Sequence, residues 1–559
     1  MPSKRVLIVG GVAGGASCAT RLRRLDEHAE IVLFERGSAV SFANCGLPYY
    51  LGGVIQNRQQ LLVATVEQFD GVYAIDAMVH HRVTRIDRSA QRIEVTNLQT
   101  GQTTLEPYDY LVLAPGAAPV RPKLPGVDLP EIYVLRNLDD VDRLQAKLSQ
   151  GLVKRVVVVG GGFIGLEVVE NLRRRGLQVI LLEALSQVMP PMDPEMVVPV
   201  HAVLREQGVD LHLSDPVAAF EPGPGQTLNV IAQSGRRFVA DMVLLAVGVR
   251  PDVELARGAG LEIGEQGGIR VDDQMRTSDA RIFAVGDAVE TRDVVTGQWT
   301  LTPLAGPASR QGRVAADAIC GRPTKFRGTQ GTSVVGVFGM VLGMTGASEK
   351  RLRAAGIPFE KIYTHSPSHA TYYPGAEMMT IKLLYAPQTG RILGAQVVGR
   401  LGVDKRIDVL AMALQKGATV FDLEEAELCY APQFGSARDP LNIAGFAAAN
   451  ALRGDVDVVH WDQWQERHQS DPDSLVVIDV RPPGMISSSG KVPETINIPL
   501  SQLRMRLDEI PRDREVWVHC ALGRTSYFAS RILAQNGFRV RNLAGGFASF
   551  KAVEGKAKS

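Results

Sequence analysis

Two cysteines in this chain sit where a thiol could do chemistry. Cys45 lies in the stretch SFANCGLPYY, between an Asn and a Gly, with no second cysteine near enough in sequence to close a local disulfide. A lone thiolate can attack a disulfide or persulfide sulfur, hold the mixed disulfide and be regenerated by an external electron donor. The competing use of such a residue is a small buried hydrophobe. Cys520 ends the apolar run EVWVHC, and the short loop ALGRT leads from it into an amphipathic helical pattern. Loop N–H groups aimed at that sulfur, backed by a helix N-terminus, lower a thiol pKa and cradle an anionic persulfide. Gly523 and Arg524 are the loop residues that would shape the cradle. His519, the preceding strand residue, points to the other face and is expected to be structural.

A thiol that cycles needs a source of electrons, and the sequence holds two turns suited to dinucleotides. RVLIVGGVAGGASCATRLRRLDEHAEIVLFE reads as strand, glycine turn, helix, strand. Gly10, Gly14 and Gly15 let the backbone approach a pyrophosphate at the helix N-terminus, where free N–H groups and the dipole favour anions. Glu35 closes the second strand near the place of a ribose-binding acid, while Val12, followed by Ala13, replaces the central glycine of the fingerprint. The second turn, RVVVVGGGFIGLEVVENLRRRGLQVILLE, carries Gly160, Gly162 and Gly165 after a four-valine strand of the kind buried in a parallel sheet. Ile164, Val168 and Leu172 repeat at helical spacing behind it. Glu183 ends the next strand, where a carboxylate accepts a ribose 2′-OH and repels a 2′-phosphate, so NADH is expected rather than NADPH.

Composition narrows the class of partner. At 559 residues the chain exceeds one core, so several domains are expected. A net charge of +1 without long runs of Lys or Arg excludes a nucleic-acid or membrane-surface role and points to small molecules. No apolar stretch is long enough to span a bilayer, and the N-terminus enters a strand without a signal-peptide pattern. The five cysteines (Cys18, Cys45, Cys320, Cys429, Cys520) are scattered, without metal-ligand spacing, which predicts a cytoplasmic protein holding no metal.

Two turns of this type in one chain resemble the pyridine nucleotide-disulfide oxidoreductase flavoproteins, with FAD held permanently and NADH visiting. Residues 108–119 resemble that family's return strand, including Ala114, and residues 277–290 resemble its second FAD motif, where the resemblance assigns Asp287 to the ribityl and phosphate region. Glu35 and Arg36, at the end of the second strand, fall on the FAD side as well. The resemblance implies an α/β protein: Rossmann-like FAD (1–115 and 250–330) and NAD(P)H (116–249) domains and an α+β dimerisation domain (331–446) whose antiparallel strands precede a helix striped by Ile407, Leu410, Ala411 and Leu414. SFANCGLPYY is similar to the active stretch of the single-cysteine branch, notably coenzyme A-disulfide reductases. By that resemblance Ser17, Arg21, Arg24, Ser41 and Asn44 would bind CoA, and Arg438 would meet its phosphates from the second subunit of a homodimer. Tyr430 and Tyr372, also from the second subunit, would stabilise the leaving thiolate or donate a proton, while Cys429 is expected to be packing. Oxidases and peroxidases of the same branch carry a His in the first glycine turn where this chain has Ala13.

The C-terminal segment, roughly residues 457–555, resembles a rhodanese domain, an α/β sulfur-carrying fold. The match is partial: Arg524 directly follows Gly523, with Thr525 at the family's usual Arg position, and Lys491 and Val492 replace the usual His and Ile upstream. A disulfide reductase fused to a sulfur carrier resembles the CoA-disulfide reductase–rhodanese proteins, including NADH-dependent persulfide reductases. The expected activity is reduction of persulfide, polysulfide or CoA-disulfide sulfur through Cys45, with Cys520 delivering sulfane sulfur. The alternatives are an NADH oxidase or peroxidase, a sulfurtransferase with a vestigial reductase, and a non-catalytic redox sensor.

Overall fold

The computed structural model describes residues 3–558. Its contacts divide the chain into two compact units, Met1–Val188 with Arg205–Gly331, and Met189–Leu204 with Thr332–Ser559.

The first unit is built on two parallel five-stranded sheets. In the first, strand Arg5–Val9 pairs in parallel with Glu30–Phe34 on one side and Tyr110–Leu113 on the other, and Asp76–Met78 and Ile282–Ala284 form the edges. Val6, Leu7 and Ile8 have no exposed surface, which is why the strand is apolar without alternation: both faces are covered. The second sheet repeats the plan around Arg155–Val159, flanked by Gln178–Leu182 and Met242–Leu245. Both glycine turns obey one steric rule. A Cβ on Gly10 would lie 2.1 Å from the Ala114 carbonyl oxygen, and one on Gly15 would lie 1.9 Å from the Gly10 carbonyl oxygen. The equivalent distances at Gly160 and Gly165 are 2.4 Å and 1.9 Å, so only glycine lets each helix approach its strand this closely.

The second unit contains an antiparallel sheet in the order Ser333–Val337, Met340–Gly346, Ile392–Gly399, Met378–Tyr385, Glu360–Pro367. Helix Val403–Gln415 buries Ile407, Leu410 and Leu414, as its spacing predicts, with Ala411 only half-buried and Arg406 buried in addition. Arg406 is satisfied there by Asp439 at 2.8 Å. The C-terminal domain of this unit is a parallel sheet ordered Val458–Val459, Val540–Leu543, Glu515–His519, Leu475–Asp479, Ile496–Asn497, with helices between its strands.

Residues 189–204 lie inside the stretch 116–249 that the sequence assigns to the NADH domain, yet their contacts place them in the second unit. The reason is a buried cation. Lys382, fully buried on strand Met378–Tyr385, sets its Nζ 2.7 Å from Asp193, 2.5 Å from Glu195 and 2.5 Å from Glu349. Gln396 adds a hydrogen bond in each direction, accepting from the Asp193 N–H and donating to its carboxylate. The three carboxylates lie within 4.8 Å of one another, a spacing that demands a cation, and the ammonium is that cation. Burial opposes ionisation of Glu349, but Lys382 and Lys361 override it and hold the carboxyl down at about 2. Lys361 also reaches Asp462 of the C-terminal domain at 3.1 Å, so one charge network joins three segments of the unit.

Removing one member of such a network strands buried charge. Lys382→Ala is expected to destabilise the second unit by about 3–5 kcal/mol in urea unfolding, and Lys382→Met, which strands the same carboxylates but fills the space, by somewhat less. Because the folded pKa of Glu349 lies below its ordinary 4.5, its contribution is present above 4.5 and is lost as pH falls towards about 2. That acid slope should flatten in both variants.

Candidate active site

Cys45 is carried by a loop fastened to the first glycine turn. The Ser41 N–H donates to the Gly11 carbonyl at 2.7 Å, and the Ser41 carbonyl accepts from the Val63 N–H at 2.7 Å. Ser41 holds a positive φ of 45° to make both bonds. A short turn, Asn44–Gly46, then runs into helix Leu47–Leu51, with Pro48 in the first helical turn where its missing N–H costs nothing. The thiol is exposed at its surface but backed by protein. That partial burial pushes its pKa up, Glu167 and Asp287 push it further, and Arg136 and its own backbone N–H pull it down.

Glu167 and Arg136 were not singled out from the sequence, and neither was Tyr49 beside them. Tyr49, one helical turn after Cys45, donates from its hydroxyl to Glu167 at 3.1 Å. Burial and the Glu167 carboxylate push Tyr49 up to about 12, so it stays protonated. Burial also raises Glu167, partly offset by that hydrogen bond. Arg136 donates to Asp287 at 3.2 Å and to the Ala117 carbonyl at 2.9 Å. Burial raises Asp287 against the pull of Arg136. Tyr49 had a signal in sequence, its i+4 spacing from Cys45, whereas nothing in the spacing ties Glu167, on helix Phe163–Arg174, to the thiol. Arg136 had none, because only the packing of the fold brings it to the thiol.

The two nucleotide turns converge on the same geometry. Glu35 accepts from the Gly11 N–H at 2.8 Å and the Gly37 N–H at 2.7 Å. Glu183 accepts from the Gly161 N–H at 2.6 Å and the Leu185 N–H at 2.9 Å. Each carboxylate is thereby fixed beside its glycine turn, where a ribose would lie. Val12 is the N-cap of helix Ala13–Leu25 with an ordinary φ of −100°, so the first turn does not need glycine there for its backbone. In the second turn a Cβ on Gly162 would meet nothing within 4 Å, which leaves open room at the helix N-terminus. Gly14 lies against Val285 and the Gly286 N–H, placing the segment that carries Asp287 beside the first helix. The glycine-limited approaches and fixed carboxylates fit FAD at the first turn and NADH at the second. Arg36 reaches outward to Asp252 at 3.1 Å, an ion pair half-exposed on its arginine side.

The residues expected to meet CoA differ in their freedom. Ser17 and Arg21 share one face of the first helix, and that face packs on helix Ala305–Ile319. Ser17 and Ser309 hydroxyls lie 2.9 Å apart, and Arg21 holds Asp317 through two nitrogens at 2.8 Å. Arg21 is thus paired with Asp317, whereas Arg24, expected with it at the CoA phosphates, is exposed. Asn44 opens the Cys45 turn and is half-buried.

In the second unit, the Tyr372 and Tyr430 hydroxyls lie 2.5 Å apart on an exposed surface. The bond to Tyr430 raises the Tyr372 pKa, so Tyr372 offers a hydrogen-bond donor. Arg438 is exposed, and the adjacent Asp439 is occupied by Arg406. Cys429 is also exposed, which corrects the expectation that it is packing: its segment is irregular and has no sheet or helix to cover it.

Cys520 is buried at the end of strand Glu515–His519. The Gly523 N–H donates to its Sγ at 3.1 Å, and Gly523 is itself the N-cap of helix Arg524–Gln535 with φ +90°. The loop thus supplies one amide and a helix N-terminus to the sulfur. Arg524 is exposed. His519 is fully buried, its Nε2 3.6 Å from Asp479, and burial lowers it to about 4, so it is neutral and structural.

Comparison with known proteins agrees with this geometry. Residues 4–312 match the family described as pyridine nucleotide-disulphide oxidoreductase, residues 332–440 its dimerisation domain, and residues 462–553 the rhodanese-like domain. The chain is 33% identical over 445 residues to a coenzyme A disulfide reductase of Staphylococcus aureus, covering 79% of this chain and 99% of that protein. It superposes on the crystal structure of reduced Bacillus anthracis CoADR-RHD with a TM-score of 0.96 and 45% identity, over 99% of this chain and 98% of that one. An NAD-dependent persulfide reductase from A. fulgidus matches with a TM-score of 0.90 and 36% identity, over 98% and 100% of the two chains.

The neighbours of Cys45 set a directional expectation. Glu167→Gln removes a negative charge that raises the thiol, so alkylation at neutral pH, followed by mass spectrometry of the Cys45 peptide, should quicken severalfold. Arg136→Gln should slow it. Equal rates in all three proteins would mean that neither group faces the sulfur.

Proposed function

Because the chain belongs to the pyridine nucleotide-disulphide oxidoreductase family, we propose that it is an FAD-dependent NADH:sulfur reductase that cleaves CoA persulfide and CoA disulfide at Cys45, with Cys520 as the carrier of sulfane sulfur. The observation that carries the reading is the pairing in one chain of a lone exposed thiol, fastened to a dinucleotide turn, with a second thiol cradled at a helix N-terminus.

The Cys45 thiolate attacks the sulfur bonded to the CoA carbon chain. A Cys45–S–S–CoA bond forms and the S–S bond of the substrate breaks, releasing hydrosulfide from the persulfide or CoA thiolate from the disulfide. Arg136 and the Cys45 backbone N–H favour the attacking anion against the burial that opposes it. FAD, which the first glycine turn, Glu35 and Asp287 would hold, would supply the two electrons of NADH, and with them the mixed disulfide at Cys45 reopens, CoA leaves and the Cys45 thiolate returns. Glu183 selects NADH by occupying the space and charge that a 2′-phosphate would need.

The chain acts as a homodimer in which Tyr430 and Tyr372 of the partner subunit face Cys45. One hydroxyl hydrogen of the pair lies in the bond between them and the other donates to the departing sulfur, a role supported by the raised pKa of Tyr372. Ser17, Ser41, Asn44 and the exposed Arg24 meet CoA from one subunit, and the partner subunit's Arg438 meets its phosphates from the other. Cys520 accepts sulfane sulfur as a persulfide and passes it to CoA, with Gly523 and Arg524 lining its loop. Five unpaired cysteines suit a reducing cytoplasm. Peroxide chemistry is the weaker reading, because Ala13 offers no proton donor in the first turn.

Anaerobic NADH oxidation with CoA persulfide and CoA disulfide in parallel, with released sulfide recorded, tests the division of labour. Cys45→Ser is expected to abolish both reactions and Cys520→Ser to spare both, because ready-made CoA persulfide bypasses the carrier, whereas a third assay that supplies polysulfide with free CoA should lose turnover in Cys520→Ser. Equal losses in all three assays for Cys520→Ser would overturn it.

A further inference from the structure

A cavity of about 760 Å³ lies within the second unit, and its walls come from both the antiparallel sheet and the C-terminal domain. His365 and Thr380 stand on the sheet side, and Ala544, Ala548 and Ser549 on the other. The segment that holds those last residues is also the back wall of the Cys520 loop. The Phe547 N–H donates to the Cys520 carbonyl at 2.7 Å and the Ala548 N–H to the Ala521 carbonyl at 3.0 Å.

Two glycines between these walls leave no slack. Gly545 and Gly546 have φ of +67° and +59°. A Cβ on Gly546 would lie 2.4 Å from the Cys520 carbonyl oxygen and 2.8 Å from the Gly523 nitrogen, the amide that donates to the Cys520 sulfur. A Cβ on Gly545 would lie 3.0 Å from His365 Nε2. His365 is fixed at both ring nitrogens, with Nδ1 2.9 Å from the Thr380 hydroxyl and Nε2 3.1 Å from the Ser549 hydroxyl. Burial lowers its pKa to about 4, so the ring is neutral and bonds as one donor and one acceptor. Trp461 holds the same turn from a third side, its indole N–H donating to the Gly546 carbonyl at 2.8 Å.

We propose that His365, on the sheet, is a positioning residue for Cys520: through Ser549 and the Gly545–Gly546 turn it fixes the Gly523 amide that supports the sulfur anion. The proposal rests on the reading of Cys520 as a sulfur carrier. A shift of the turn is carried to the Cys520 loop by the Phe547 and Ala548 amides bonded to the Cys520 and Ala521 carbonyls, and an amide at hydrogen-bonding distance from the sulfur loses strength steeply as it moves away. The sheet that fixes the dimerisation domain thereby also tunes the carrier thiol.

The test uses the holoenzyme and three readouts: sulfur transfer from thiosulfate to cyanide, the pH profile of Cys520 alkylation by mass spectrometry, and NADH-linked reduction of CoA disulfide. His365→Ala is expected to lower sulfur transfer about tenfold, the order of one hydrogen bond to a charged group. It should also move the alkylation profile to higher pH while leaving disulfide reduction unchanged. His365→Gln, which restores a donor and an acceptor, should recover most of both losses. Unchanged transfer and an unchanged profile in His365→Ala would overturn the proposal. So would an equal fall in all activities with a lowered melting temperature, since the role would then be structural alone. Absence of sulfur transfer in the wild type would overturn the reading of Cys520 itself, and the alkylation profile would then decide the positioning role alone.

Discussion

The chemistry of this chain depends on keeping a sulfur atom negatively charged where the protein resists it. At Cys45 burial, Glu167 and Asp287 all oppose the thiolate, and only Arg136 and a backbone amide favour it. That balance makes a reactive thiol conditional. The site sits at the junction of elements that must already be in place: the loop tied to the first glycine turn, the helix carrying Glu167 and the turn carrying Asp287. At Cys520 the surroundings differ: one amide and a helix N-terminus close on a buried sulfur. An exposed thiol suits exchange with a bulky CoA conjugate, and a buried one suits holding a persulfide away from water.

The two nucleotide folds serve this constraint by steric means. Gly10 against Ala114 and Gly160 against Ala246 bring each helix N-terminus to the end of its strand, and Glu35 and Glu183 are drawn in by backbone amides beside them. The antiparallel sheet serves it through charge. Lys382 gathers Asp193, Glu195 and Glu349 and so fixes residues of three segments, and Lys361 extends the network to Asp462 in the C-terminal domain. The cost of burying that lysine is offset only while all its partners are present, which makes the unit behave as one piece on which the Cys520 loop can be held still.

Much of this was legible in the residues themselves. The glycine turns, the placing of Glu183 beside one of them, and the turns that carry Cys45 and Cys520 are encoded locally, since a turn or a strand end is set by a few adjacent residues. What the sequence left hidden is long-range. Arg136 and Glu167 reach Cys45 from far along the chain, and no period or spacing links them to it. Arg21 and Arg24 look alike on a helical wheel, yet the packing of Ala305–Ile319 pairs one with Asp317 and leaves the other exposed. Residues 189–204 follow a nucleotide-fold strand in sequence but are captured elsewhere by a buried lysine that carries no motif. Val12 departs from the fingerprint where glycine would let a pyrophosphate come closest, and its φ of −100° is not one that calls for glycine.

The central claim is that Cys45 takes CoA covalently. The direct measurement is mass spectrometry of the enzyme mixed with CoA disulfide in the absence of NADH, quenched in acid and cleaved without reductant. The account predicts a CoA adduct on the peptide carrying Cys45 that disappears when NADH is added before the quench. A CoA adduct confined to another cysteine, or an adduct on Cys45 that NADH leaves untouched, would contradict it.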